Sequence, residues 1–304
     1  GNLGPAFTSW PSLVGWETVS VITAAYALLG LLGMLGLPAN SLWTVVSLLV
    51  IALLVVVFGL LGHATLVIIQ QAATWILGVL TLLVIIFLIP GTQWSKLLDA
   101  PWGAWDSGVL ATLSIIMAGT GIGWANAGAD YTRYLPRGSS DRAIVGWTVL
   151  GATIPLCVLI MTGVLLSSRV SDLASASNPV EVIGDAMPAW MAVPYLITAI
   201  GGLIAAADLS IYSSGLNLLA LGVRLQRHKA VLIDGVIMVL GSVYVMLIAQ
   251  DFFGPFISFL QLLADGLAAW AGVFLVDMLL RRGYDPEGLR RTDPGSPYYY
   301  SGGI

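Results

Sequence analysis

The sequence predicts an all-α integral membrane protein, and three observations carry that prediction. Twelve basic and sixteen acidic residues make up 9% of the 304 positions, where a soluble domain carries charge at about a quarter. Hydrophobic residues make up 58% and the mean hydropathy is +0.93, so a water-soluble exterior cannot be built from this stock. Eight stretches are long and apolar enough to cross a hydrocarbon core of about 30 Å, which takes about 20 helical residues. They run over 13–35, 41–62, 66–89, 108–130, 143–166, 193–222, 230–249 and 254–280. Strands of a membrane barrel would alternate polar and apolar residues, and runs such as LLVIALLVVVFGLL do not. Soluble enzymes, binders of nucleic acid polymers and disordered scaffolds are excluded at this stage.

Taken in order, the spans differ in what they carry besides apolar bulk. The first contains GWETVSVITAAY, in which Trp16, Glu17 and Ser20 fall within about 100° of arc at 100° per residue. One face therefore offers an aromatic plane, a carboxylate and a hydroxyl. The second and third spans are almost wholly apolar. The connection 90–107 mixes Pro, Trp and Leu with acids, which predicts a short interfacial helix.

The fourth span reads SIIMAGTGIGWANAGADYTRYLPR, with Gly119, Gly121 and Gly123 alternating before Trp124. Each glycine costs about 1 kcal/mol relative to alanine inside a helix, so a break or unwound turn is expected there. At membrane depth such a break is tolerated where the freed backbone groups meet protein, water or a ligand. Discontinuous helices of this kind mark transporter binding sites, although close packing through small residues is the plainer alternative. At the end of this span Asp130 and Arg133 stand one helical turn apart, either as a structural clasp or as a gate.

The fifth span holds the lone Cys157, so neither an internal disulfide nor a thiolate cluster can form. The connection 167–192 again predicts an interfacial helix. In the sixth span Ala205, Asp208, Tyr212 and Gly215 share a stripe, with Asp208 as the polar exception. The seventh span has Asp234 near one end, and the eighth has Asp265 in its middle and Asp277 near its end. A carboxylate in lipid is costly unless it faces protein or water. Glu17, Asp208 and Asp265 are therefore expected to face a cavity or an ion path, and Asp234 and Asp277 to make interfacial or helix-end contacts. His63 and His228 are far apart in sequence, and no metal site is expected.

Ten of the twelve basic residues fall on one side if the spans alternate: Arg133, Arg137, Arg142, Arg224, Arg227, Lys229, Arg281, Arg282, Arg290 and Arg291. Lys96 and Arg169 fall on the other. Basic loops stay in the cytoplasm, which places the N-terminus and the segment after the eighth span there, in a multi-pass protein of the cell membrane. The chain divides into a transmembrane domain, 1–282, and a polar cytoplasmic segment, 283–304.

The segments GWETVSV, GIGWANAGADYTRYLPR, DLSIYSSGLNLLALGVRLQRHKAVLIDG and FLVDMLLRRGYDP resemble the nucleobase:cation symporter family, the purine–cytosine permeases, over essentially the whole chain. The resemblance implies a LeuT-like fold of two inverted five-helix repeats followed by two further helices. The eight spans resemble the family's third to tenth. On that reading the second repeat is complete, the first lacks its two leading helices, and the chain is a partial one.

The resemblance also implies roles. A planar substrate would stack between Trp16 and Trp124, beside the accessible backbone of Gly123, with Ser20 where relatives often have an amide. Asp208 and Ser210 stand where a relative would use asparagine to read the base. Sodium-coupled relatives supply side-chain oxygens about one turn earlier, where this chain reads GGLIAAA. Proton coupling is therefore preferred over sodium, with Glu17 and Asp208 as the carboxyl groups that would carry it. The expected function is import of a nucleobase such as cytosine or a purine with H+ or Na+, without other cofactor. Allantoin, a hydantoin or a vitamin is the alternative substrate, and a non-transporting fragment the alternative status. An enzyme is not expected, because no catalytic pairing of carboxylates, histidines or nucleophile and base has suitable spacing.

Overall fold

The computed structural model describes residues 3–125, 127–136, 138–170, 173, 176, 178–281, 283–291 and 293–299. Arg137, Arg282, the side chain of Arg290 and the last residues, 300–304, lie outside the described set. Among the described residues every regular element is helical, and eight helices are long and apolar enough to cross a membrane. The fold is all-α, as composition and hydropathy require.

The first helix, Leu3–Met34, begins well before position 13. PAFTSWPS lowers the hydropathy, but Ser9 and Ser12 are buried in the protein rather than set in lipid. The second helix, Ser41–Leu61, starts where the Asn40 side chain accepts the Trp43 N–H at 3.1 Å, satisfying one of the amide groups left free at a helix start. Gly62, at φ +90°, turns the chain straight into the third helix, His63–Leu88. That left-handed backbone is open to glycine at little cost. The connection that follows carries the short helix Trp94–Leu98.

The fourth span, Trp105–Ala125, is irregular in a way that corrects the expected unwinding. Its glycine segment, Met117–Gly121, stays helical but widens into a π turn, and Thr120 Oγ1 donates to Ile116 O at 2.5 Å. The continuous run ends at Ala125, and a separate short helix, Gly128–Thr132, follows. π turns of this kind occur as single insertions inside α-helices.

The remaining spans are Asp141–Ser167, Ala189–Ala220, Arg227–Ala249 and Phe253–Arg281. Pro179–Asp185 forms the helix expected before the sixth. The segment after the eighth folds back: Asp285 starts Pro286–Arg290, its N–H donates to the Tyr298 hydroxyl at 2.7 Å, and Arg281 lies 5.0 Å over the Tyr298 ring.

The first and sixth spans pack along each other, with the second and seventh beside them. Val21, Ile22, Leu48, Ile51, Val55, Ile211, Val231 and Met238 form their shared core. The fourth span packs against the eighth, and the eighth faces the protein with Leu260, Leu263 and Leu267. Asp265 sits on the opposite face of that helix and is exposed, so it does not look into the interior as expected.

Candidate functional site

Trp16 stands where the first, fourth and eighth spans meet. Its ring makes edge contacts with Phe256 and Phe259, at centroid distances of 6.1 and 5.7 Å. A methyl group at Gly123 would stand 3.6 Å from the Trp16 Nε1 and only 2.8 Å from the Ala118 carbonyl oxygen. The contact with Ala118 O is the one that requires glycine, whereas the indole would be met at ordinary van der Waals distance. The Trp16 N–H is buried and has no hydrogen-bond partner. A buried donor left unmade is costly.

The other expected residues divide into two sets. Trp124 is half-buried, and its ring pairs with Tyr131 at 6.5 Å, tilted by 52°. Ser20 is buried one turn beyond Trp16. Asp208 is wholly buried, and neither of its carboxyl oxygens has a hydrogen-bond partner. Arg227 and Tyr131 interact with it electrostatically. Ser210 is also buried, but its hydroxyl donates to Ala206 O at 3.2 Å on its own helix, so it is already satisfied.

The expected Asp130–Arg133 pair is present as a long contact, 4.0 Å, with the arginine side chain half exposed. An exposed pair of that length is worth little. Stronger ties join this segment to the sixth span. Tyr131 donates to Leu209 O at 3.0 Å and Ser213 donates to Tyr131 at 3.0 Å. The Tyr134 and Tyr212 hydroxyls lie 3.1 Å apart. His63 stacks on Tyr134 at 4.0 Å, and Arg227 lies 4.9 Å over the Tyr212 ring while donating to Gly59 O at 2.7 Å.

Sequence reading did not find this clasp. Its signal was available in DYTRYLP, whose tyrosines at 131 and 134 share a helical face, but their partners lie 78 positions away.

Glu17 is wholly buried, and so is Asp234. The latter corrects the expectation of an interfacial carboxylate: Trp10 Nε1 donates to its Oδ1 at 2.8 Å, and Ser214 Oγ lies 2.9 Å from its Oδ2. The same serine oxygen is 2.5 Å from Glu17 Oε1. Asp277, by contrast, makes the expected helix-end contacts, with Arg281 at 2.6 Å and Tyr284 at 2.7 Å.

A cleft of about 400 Å³ opens between the first, seventh and eighth spans, lined by Trp10, Val14, Thr18, Tyr244, Phe252 and Phe256 among others. Trp16, Ser20, Gly123, Trp124, Asp208 and Ser210 do not line it. Its wall is almost wholly apolar, which suits hydrocarbon rather than a heterocycle with amide edges. Among the described residues no group of three or more histidine, cysteine or acidic side chains is placed to hold a metal ion.

A family profile described as permease for cytosine/purines, uracil, thiamine and allantoin matches residues 1–304. Neither a curated protein nor a solved structure matches the chain.

Proposed function

The chain belongs to the family of permeases for cytosine and purines, uracil, thiamine and allantoin, and from that membership we propose that it imports a nucleobase such as cytosine or a purine together with a proton. The observation that carries this reading is the pair of unpartnered, buried polar groups on neighbouring spans, the Trp16 N–H and the Asp208 carboxyl. A planar heterocycle has both an edge that donates and an edge that accepts. Bound between Trp16 and Trp124 beside Gly123, it would satisfy the indole N–H and present its own N–H groups to Asp208. Ser20 borders that space one turn along, and Ser210, already bonded to its own helix, supports the backbone rather than the ligand.

Entry and release follow from which contacts hold the fourth span. The tyrosine clasp at 131 and 134 closes one end of the site, the end we assign to the cytoplasm from the basic residues around it, with Asp130 and Arg133 as a weaker part of the same gate. Rocking the fourth and eighth spans away from the sixth breaks those bonds and opens the site inward. Such a step needs two states within a few kcal/mol, with ligand shifting their populations. Proton coupling is favoured because GGLIAAA offers no side-chain oxygen to sodium, while Glu17 and Asp208 are carboxyl groups within the packed interior. Allantoin, which the family also carries, presents a similar ureide edge and is the second substrate to try.

Uptake into proteoliposomes tests the proposal. Labelled cytosine, hypoxanthine, uracil and allantoin are offered under an inward proton gradient and, separately, an inward sodium gradient. Accumulation of one of them under the proton gradient alone is the expected result. Accumulation driven by sodium alone would overturn the choice of ion, and none under either would overturn the symport reading.

A further inference from the structure

The contacts around Ser214 hold a hydrogen that the serine cannot supply. Its oxygen lies 2.5 Å from Glu17 Oε1 and 2.9 Å from Asp234 Oδ2, and both acids are wholly buried. A hydroxyl has one hydrogen to donate. If it goes to Glu17, the contact with Asp234 lacks one, and the reverse holds too. If it turns to Ile211 O, 3.3 Å away, both contacts lack one. A carboxylate is acceptor-only, so at least one of the two acids must carry a proton and donate it to the serine.

Among the described residues no cationic side chain acts on either acid. Across the serine, Glu17 and Asp234 face each other. On the sixth span the titratable neighbours are Asp208 and Tyr212, and Arg227 from the seventh is directed at those two. The second span has no ionisable residue between Ser41 and Leu61, and Asp265 of the eighth is turned outward. Two buried carboxylates without a cation are strongly disfavoured. The remaining Glu17 oxygen, Oε2, is buried and has no partner.

We propose that Glu17, Ser214 and Asp234 form one buried proton-holding site joining the first, sixth and seventh spans, and that its proton is the one that moves with the substrate. Uptake converts one carboxylate to a carboxylic acid whose O–H donates to Ser214 Oγ. Release restores the carboxylate, leaves one hydrogen for two short contacts, and sets two anions against each other across the serine. That repulsion acts between spans whose packing forms the core, so it favours a different arrangement of them. Trp10 connects the site to the outside: its N–H holds Asp234, and its ring lines the open cleft. The second half of the proposal rests on the transport reading, whereas the first does not.

Infrared difference spectroscopy of the chain in lipid, titrated through neutral pH, reads the proton directly. The wild type should show a carboxylic-acid C=O band that Glu17→Gln or Asp234→Asn removes and that Ser214→Ala shifts, because the hydrogen-bond partner of the acid is gone. Asp208→Asn should leave it in place. A band indifferent to Glu17→Gln, Asp234→Asn and Ser214→Ala, or one lost only in Asp208→Asn, would overturn the site. For coupling, Glu17→Gln should still exchange labelled heterocycle across the membrane but no longer move protons with it. Protons that still follow the heterocycle in the Glu17→Gln, Asp234→Asn double variant would overturn the coupling role. If the wild type moves no heterocycle at all, the transport reading and the coupling role fall together, while the infrared result still decides whether the proton site exists.

Discussion

The seventh and fifth spans are both apolar helices, yet they stand in different relations to the protein. Over the 17 residues of Arg227–Val243 six are buried, whereas over the 27 residues of Asp141–Ser167 only Thr162 and Leu166 are. The contrast extends to their neighbours: the first, second, sixth and seventh spans share one core, and the fourth meets the rest chiefly through the eighth. Every buried carboxyl group described here, Glu17, Asp208 and Asp234, belongs to the tight set. The looser set supplies the glycine backbone and Trp124. A site built at that boundary has a fixed half that holds charge and a half that can move to admit a ligand.

The contrast is broken most sharply by truncating one apolar side chain in each set. Ile211→Ala, at a position with no exposure in the shared core, should cost about 2–5 kcal/mol. Leu279→Ala, 77% exposed on the eighth span, should stay within about 0.5 kcal/mol. Unfolding of the two variants by denaturant in mixed micelles checks this, and equal losses would mean that the two sets are packed alike.

Next in size is Asp208→Asn. Neither carboxyl oxygen accepts a hydrogen bond, so the variant should fold about as well as the wild type, losing only the electrostatic contact with Arg227. Binding of the heterocycle should weaken about tenfold or more, since hydrogen bonds to charged groups are worth about 1.5–3 kcal/mol. Thermal unfolding alongside a binding isotherm separates the two effects.

Gly123→Ala follows. Its methyl group would stand 2.8 Å from Ala118 O and 3.6 Å from the Trp16 Nε1. Overpacking of this kind costs about 1–3 kcal/mol, and because the tight contact is with Ala118 O of the same span the variant should distort the fourth span and lower affinity. The smallest effect is expected from Arg133→Ala. Its 4.0 Å pair with Asp130 is half exposed, so under about 1 kcal/mol should be lost. Tyr134→Phe, which removes the hydroxyl contact with Tyr212, should alter exchange rates more.

Fold class was open to sequence reading because hydropathy is summed over some twenty residues and tolerates local exceptions. PAFTSWPS was such an exception, and there the helix begins at Leu3: Trp10 finds Asp234, 224 positions away. No spacing rule links residues so distant. The same holds for the proton site, where Glu17 and Ser214 are separated by 197 positions. What the sequence did display was the unusual member of each pair. Glu17 and Asp234 stand out in apolar runs, while Ser214 and Trp10 look ordinary until the fold places them. Gly119, Gly121 and Gly123 signalled an irregular helix, but glycine content alone does not mark a π turn: Met117–Gly121 forms one, and so does Tyr244–Ala249, which has no glycine. Asp265 misled for a related reason: its helix turns Leu260, Leu263 and Leu267 inward, a choice that its uniformly apolar surroundings do not reveal.

The decisive question is whether a heterocycle binds between the fourth span and the first. The direct measurement is equilibrium binding of labelled cytosine, hypoxanthine, uracil and allantoin to the purified chain and to Trp16→Ala, Trp124→Ala and Trp43→Ala. Trp43 serves as the control because it stands at the start of the second span, away from the site. Saturable binding of one compound by the wild type and by Trp43→Ala, lost in both Trp16→Ala and Trp124→Ala, is the predicted result. Equal loss in all three variants, or no binding by a folded wild-type chain, would contradict it.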